Sequence, residues 1–139
     1  MADVAKNAVI AKWPVTSAAR NFPMALDEGN HRLLIGCREP AKMLVFDTQT
    51  GKQTASVDIV GDTDDLFYDP ARRRVYVIGG EGFVDIFEQR DADRYSLVAR
   101  VATAHGARTG LFVADWGKLF VAVPHRGEQR AQVLVLDGK

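Results

Sequence analysis

The stretch ALDEGNHRLLIGCREPAKMLVFDTQTGKQTASVDIV, Ala25–Val60, decides the fold. Its apolar residues come in short bursts, Leu33-Leu34-Ile35 and Met43-Leu44-Val45-Phe46, followed by the run Gln53–Val60. Glycine, proline, Asp and Asn interrupt them about every eight to twelve residues, the rhythm of short antiparallel strands. Between two alternating runs stands Asp47-Thr48-Gln49-Thr50-Gly51-Lys52, polar and glycine-punctuated. Asp and Thr side chains bond backbone amides in turns, and Gly accepts a positive φ. The cluster therefore reads as a hairpin turn. A catalytic reading would need a second acid or base facing Asp47, and nothing nearby supplies one.

The same bursts recur down the chain. Ala25-Leu26-Asp27, Arg32-Leu33-Leu34-Ile35-Gly36 and Leu44-Val45-Phe46-Asp47 make one unit. The next reads Phe67-Tyr68-Asp69, Arg74-Val75-Tyr76-Val77-Ile78-Gly79 and Val84-Asp85-Ile86-Phe87-Glu88. The third reads Phe112-Val113-Ala114, Lys118-Leu119-Phe120-Val121-Ala122 and Leu134-Val135-Leu136-Asp137. Asp69 stands 42 residues after Asp27, and Leu119 stands 44 after Val75. A period near 40 built wholly of short strands predicts an all-β propeller of four-stranded antiparallel blades.

Pro-x-Ala-x-Asp, then Arg-Leu-Leu-Ile-Gly, then Val-Phe-Asp-Thr-x-Thr-Gly-Lys resembles the bacterial YVTN-type β-propeller repeat over nearly the whole chain. Leu34-Ile35-Gly36-Cys37, Val77-Ile78-Gly79-Gly80 and Val121-Ala122-Val123-Pro124 depart from the signature that names the family, and the later units lack the Asp-Thr-x-Thr-Gly turn. The resemblance implies strands lettered A at the ring axis to D outermost. In the first blade these are Phe22–Asp27, Arg32–Cys37, Met43–Thr48 and Gln53–Val60. Ala8–Val15 resembles a D strand with no blade before it. The expected organisation is a leading outer strand in 1–21, then blades over 22–64, 65–107 and 108–139, the last lacking its outer strand. Three blades are too few for a ring, which takes about four to eight. Two copies could close a six-bladed ring, each lending its leading strand to the other's unfinished blade. The rival expectation is a fragment of a longer propeller with no independent function.

Composition narrows the function classes. The chain has 139 residues, 47% hydrophobic and 26% charged, which is globular composition. Eighteen basic and 18 acidic residues balance to zero net charge, which removes the simplest electrostatic case for nucleic acid. No apolar run is long enough for a transmembrane helix. The opening MADVAKNAVIAKWPV lacks a signal peptide's basic start and apolar stretch. The family resemblance points instead to a periplasmic or exported parent. Cys37 is the only cysteine, so no intrachain disulfide forms. It reads as a small apolar strand residue.

The remaining motifs carry little chemistry. Gly79-Gly80-Glu81-Gly82 lacks the Walker spacing and precedes a strand, so it reads as a tight turn. Asp58, Asp62, Asp64, Asp65 and Asp69 are dense enough in oxygen for Ca²⁺, but the EF-hand spacing is absent. Arg72-Arg73-Arg74 has no interleaved aromatics, which leaves nucleic-acid binding unsupported. Trp13 and Trp116 read as packing between blades or over a blade edge. His31 falls in an A-to-B turn.

In a propeller the D-to-A and B-to-C loops share one face around the channel mouth. Arg20, Arg38, Asp64, Asp65, Glu81, His105, Arg108, His125, Arg126 and Glu128 map there. The face is mixed in sign and suited to a polar small molecule or peptide. The expectation is a non-enzymatic binding or interaction scaffold, with no cofactor, no metal and no catalytic residues. The alternative is a lactonase-like or cofactor-binding enzyme whose channel site gathers His105, His125, Arg108, Asp64 and Asp65.

Overall fold

The computed structural model describes residues 5–138 in full and residues 2 and 3 by their backbone. Ala2–Asp3 (β1) and Ala8–Val9 (β2) form a small hairpin. Ala19–Asp27 (β3), Arg32–Glu39 (β4), Ala41–Asp47 (β5) and Gln53–Asp58 (β6) then make an antiparallel sheet in sequence order. Thr63–Asp69 (β7), Arg74–Gly79 (β8), Phe83–Asp91 (β9) and Arg94–Ala102 (β10) repeat it. Thr109–Val113 (β11), Lys118–Val123 (β12) and Gln132–Asp137 (β13) make a third sheet of three strands. A short 3-10 turn, Ala114–Trp116, closes the first hairpin of that sheet. The chain is an all-β propeller segment of successive antiparallel blades.

Strand register makes the repeat exact at the level of contacts. Ala25 pairs with Leu34, Phe67 with Tyr76 and Leu111 with Phe120. Backbone conformation repeats with it. Arg20, Asp62 and Gly106, each entering an A strand, all hold positive φ, at 56°, 56° and 82°. His31, Arg73 and Gly117 do the same in the A-to-B turns, at 54°, 53° and 60°. Two of those six positions carry the residue for which positive φ is free, and the other four are held there by the sheets on either side.

Each blade turns one face forward and one back. Leu34, Met43 and Val45 on the back of blade one pack against Leu66, Val75, Val77 and Phe87 on the front of blade two. Ile59 and Val60, in the connection between the blades, fill the same cluster. Tyr76, Ile78 and Val84 on the back of blade two meet Leu119, Val121 and Val123 of blade three. Fully burying side chains of this size stabilises by about 1.5–3 kcal/mol apiece.

One charge interrupts this pattern. Asp85 on β9 is fully buried, at the register position where blades one and three carry Leu44 and Leu134. Arg100 on β10 donates to both its oxygens, at 2.6 and 2.8 Å, and the Val60 backbone N–H donates to it at 2.7 Å. The carboxylate thus ties the connection leaving blade one to the middle of blade two.

The leading segment differs from expectation. The strand predicted over Ala8–Val15 is limited to Ala8–Val9, and residues 10–18 pair in no ladder. A strand is made by its partner's amides and carbonyls, and residues 12–18 join no ladder among the described residues. It still lies on blade one: Val15 and Ala18 pack on the cluster of Ile35, Cys37, Leu44 and Phe46. The Trp13 indole sits so close to Gly51 that a Cβ there would come within 2.4 Å of its Nε1. Burial pushes the Cys37 thiol above its ordinary pKa and suits it to this apolar cluster.

Asp85→Ala strands the Val60 N–H and the Arg100 guanidinium, whose outer part remains in solvent. It is expected to lower unfolding free energy by about 2–3 kcal/mol, read as a fall in the urea midpoint at unchanged slope.

Candidate functional site

The loops entering A strands and joining B to C meet at one face, as the topology requires. Arg38 at the end of β4 reaches blade two there. Its Nε donates to the Thr63 carbonyl at 3.0 Å, and its guanidinium pairs with Asp64 and, at 3.3 Å, with Asp62. Arg108, entering blade three, pairs with Asp62 at 3.2 Å and approaches Asp64 at 4.0 Å. Two arginines and two carboxylates therefore alternate across three blades. Arg38 also stacks over the Phe22 ring, 4.6 Å from its centroid.

The other expected residues take separate places on this face. Arg20 pairs with Glu39 at 2.7 Å, both well exposed. Glu81 accepts the Gly61 N–H at 3.1 Å, and Asp65 accepts the Gly110 N–H at 2.7 Å. Burial raises the Asp65 carboxyl above the ordinary Asp pKa, against the lowering effect of that N–H. His105 joins the B-to-C loop of blade three by its backbone, its carbonyl accepting from Gln129 Nε2 at 3.1 Å. Arg126 lies over Gly106, where a Cβ would come within 2.7 Å of the guanidinium. The side chains of His105 and His125 are exposed.

Arg38, Asp64 and Arg108 are thus brought together, while Arg20, Glu81, His105, His125 and Arg126 line the rim. Asp62 and Glu39 complete the pairs and were not among the expected site residues. The signal for Asp62 was its place 42 residues after Arg20, at the same A-strand entry. The acidic stretch is accounted for carboxylate by carboxylate. Asp58 pairs with Lys42 at 2.6 Å, and Asp69 accepts the Ala71 and Arg72 amides and the Arg72 guanidinium. Among the described residues no three His, Cys, Asp or Glu side chains converge as metal ligands.

The Asp47 cluster is a turn. Asp47 Oδ1 accepts the Gln49 and Thr50 amides at 2.8 and 2.9 Å, and its carbonyl accepts the Gly51 N–H at 2.8 Å. Gly51 holds φ at 70°. Those two amides, with a smaller contribution from Arg32, hold the carboxyl below the usual range. Arg32 also bridges blades one and two, donating to Asp93 at 2.7 and 3.2 Å.

A cleft of about 800 Å³ opens at the opposite face, lined by Asp27, Tyr68, Arg73 and Gln89 among others. Its polar floor is already satisfied. Gln89 donates to Asp27 at 2.7 Å and to the Tyr95 oxygen at 3.2 Å, and accepts from Tyr68 at 2.7 Å. Burial pushes the Tyr95 phenol up to about 12. These bonds close the seam between blades one and two, and sequence reading did not single them out.

No protein-family model and no curated protein sequence matches the chain. Solved structures do match it. Over 98% of its length it superposes on 38% of the chain of Kuenenia stuttgartiensis hydrazine synthase, with a TM-score of 0.82 and 15% identity. Against the β-propeller domain of Cps50 (Swd1) from Myceliophteria thermophila the TM-score is 0.68 at 13% identity, over 98% of this chain and 44% of that one. Against BamB from Moraxella catarrhalis it is 0.60 at 16% identity, over 85% and 34%. The likeness establishes the β-propeller fold, and the chain spans less than half the length of each of these proteins.

Arg32→Met is expected to cost about 1 kcal/mol at pH 7, since Asp93 is partly exposed and water screens the pair. Arg32 is the first cause holding the Asp93 carboxyl below its ordinary pKa. A depressed carboxylate stabilises the fold above the ordinary Asp range and loses that effect as pH falls through its folded value. Urea unfolding of the two proteins should therefore differ at pH 7 and converge as pH drops below about 4.

Proposed function

We propose that this chain is a YVTN-type propeller segment acting as a non-enzymatic interaction scaffold, with 22–64, 65–107 and 108–139 as its blade units. Its binding surface is the loop face around the ring axis: Arg20, Arg38, Asp64, Asp65, Glu81, His105, Arg108, His125 and Arg126. The observation that carries this reading is the alternating Arg38–Asp62–Arg108–Asp64 network. It spends the charged groups nearest the channel on one another, so they hold three blades in place and present a rigid platform. The exposed rim of His105, His125 and Arg126 then supplies adaptable donors to a polar small molecule or a peptide. General acid–base chemistry would need a base within hydrogen-bond reach of a reacting group, and the two imidazoles lie out in solvent. A panel of lactones and carboxylic esters tests the reading. The scaffold yields no turnover; turnover abolished by His105→Ala or His125→Ala would make the face an active site.

We further propose that two copies complete one six-bladed ring. Each copy exposes one unmatched front, with Met24 and Leu26 about half exposed, and one unmatched back, with Leu111 and Val133 likewise. Light scattering across a concentration series is expected to give twice the 15.3 kDa of one chain. A mass of one chain throughout the series would end this reading.

A further inference from the structure

The cleft at the A-to-B turns holds a charge imbalance that its hydrogen bonds do not remove. It lies between blades one and two of a single chain, on the face opposite the loop face, so it is independent of that face and of the number of copies in the ring. Asp27 and Asp69 are matching residues at the ends of β3 and β7, at 2% and 0% exposure. Each accepts the amide of the residue three places on, and each accepts a side-chain donor from that same residue. In blade two that donor is the Arg72 guanidinium, at 2.9 Å. In blade one it is the neutral amide of Asn30, at 2.8 Å. The other donor to Asp27, Gln89, is neutral as well, and among the described residues Asp27 forms no ion pair. A buried carboxylate is stabilised by hydrogen bonds, but without a cation it remains an expensive group to keep out of water.

The network fixes the direction of every bond around Asp27. Tyr95 donates to the Ala92 carbonyl at 3.0 Å and therefore accepts from Gln89 Nε2. The second hydrogen of Nε2 goes to Asp27. Gln89 Oε1 then faces Tyr68, whose hydroxyl donates to it at 2.7 Å. Tyr68, Gln89 and Tyr95 have no hydrogen left to offer, and what the floor retains is acceptor capacity, on Asp27 Oδ1 and on the Tyr68 oxygen. Glu28, exposed at the lip, adds a second carboxylate that forms no ion pair among the described residues. Gly29 leaves the approach to Oδ1 open. Apart from the adjoining residues of the turn, Oδ1 itself is the one described atom within 4 Å of where a Cβ would stand, at 3.7 Å.

The blade-two wall carries the complementary charge. Of the three consecutive arginines, Arg72 pairs with Asp69 and Arg74 donates to the Gly138 carbonyl. Arg73 lines the cleft, is exposed, and forms no ion pair among the described residues. Its Nη2 donates to the Arg90 carbonyl at 2.7 Å, which anchors the side chain and leaves most of the guanidinium fork free. Its backbone holds φ at 53°, where blade three has Gly117 at 60°. A Cβ is disfavoured at such a φ, so the turn itself gains nothing from an arginine there.

We propose that this cleft binds a small zwitterion of the amino-acid class, its ammonium group on Asp27, Glu28 and the Tyr68 oxygen and its carboxylate on Arg73. An ammonium group brings N–H donors to a floor that offers only acceptors, and it brings the charge that Arg72 supplies in blade two. A carboxylate takes the paired N–H groups of the guanidinium in charge-assisted bonds. A ligand with one charge alone leaves either Asp27 or Arg73 uncompensated, so both charges are needed. The cleft, at about 800 Å³, is of the size that holds small ligands.

Titration of the isotope-labelled full chain, followed by the NMR shifts of its backbone amides, tests the site. The probes are glycine, γ-aminobutyrate and ε-aminohexanoate, three zwitterions of increasing span, with butylamine and butyrate as carriers of one charge each. At least one zwitterion should shift the amides of Gly29, Asn30 and Arg73 in a saturable way, and the singly charged probes should bind about tenfold more weakly or less. Two variants change the site and keep the fold. Asn30→Arg copies the Arg72 of blade two and gives Asp27 a cation of its own. Arg73→Gly copies the Gly117 of blade three. Both should hold or raise the urea midpoint, and both should weaken binding about tenfold or more. No saturable shift with any of the three zwitterions, equal binding of butylamine or butyrate, or unchanged affinity in either variant overturns the zwitterion site. Shifts confined to the amides of Gly106, Arg108 and Arg126 put the probe on the loop face, which overturns the cleft and leaves the scaffold reading standing.

Discussion

A four-stranded blade has two apolar faces and can bury neither alone, and the rest of this molecule depends on that constraint. Leu34, Met43 and Val45 reach zero exposure only because Leu66, Val75, Val77 and Phe87 stand opposite them. The hydrophobic effect scales with the area removed from water, so each seam stabilises the two blades that share it. Stability therefore runs along the arc, blade to blade, much as in other repeat proteins. On faces that meet no further blade among the described residues, the same residue types, Met24, Leu26, Leu111 and Val133, are exposed.

Polar chemistry is arranged around those seams. The Val60 N–H donating to Asp85 fastens the first seam at mid-height, Arg32 and Asp93 at its outer end, and Gln89 with Asp27 at the A-to-B turns. Arg38 and Arg108 fasten both seams at the loop face through Asp62 and Asp64. A charge buried without a partner costs several kcal/mol, so these residues specify which blade follows which. The loop face inherits its rigidity from the same contacts. Charges at the seams hold the blades, and His105, His125 and Arg126 on the rim stay exposed.

Much of the fold was legible because its signals are local. Short alternating runs, a period near 40 and the Asp47–Gly51 turn each depend on residues a few places apart, and each appears as read. The loop-face residues were legible as a group because loop type in a propeller dictates the face. Their pairing was not. Arg38 finds Asp64 across 26 residues and Arg108 finds Asp62 across 46, and no spacing rule reaches that far. Asp85 was hidden for another reason: in a strand it occupies an ordinary inward position, and only the neighbour's Val60 amide and Arg100 explain a carboxylate there.

The leading segment marks the boundary between the two kinds of information. Sequence by itself determined that residues 8–15 have a strand's composition and stand at an outer strand's offset. Tertiary structure decided that only Ala8 and Val9 pair, that Val15 and Ala18 cover blade one, and that Trp13 rests on Gly51. The physical reason is that propensity and pattern belong to a residue and its near neighbours, whereas a ladder belongs to two strands. Where no neighbouring stretch of chain supplies the second strand, the first keeps its side-chain contacts and joins no ladder beyond Val9.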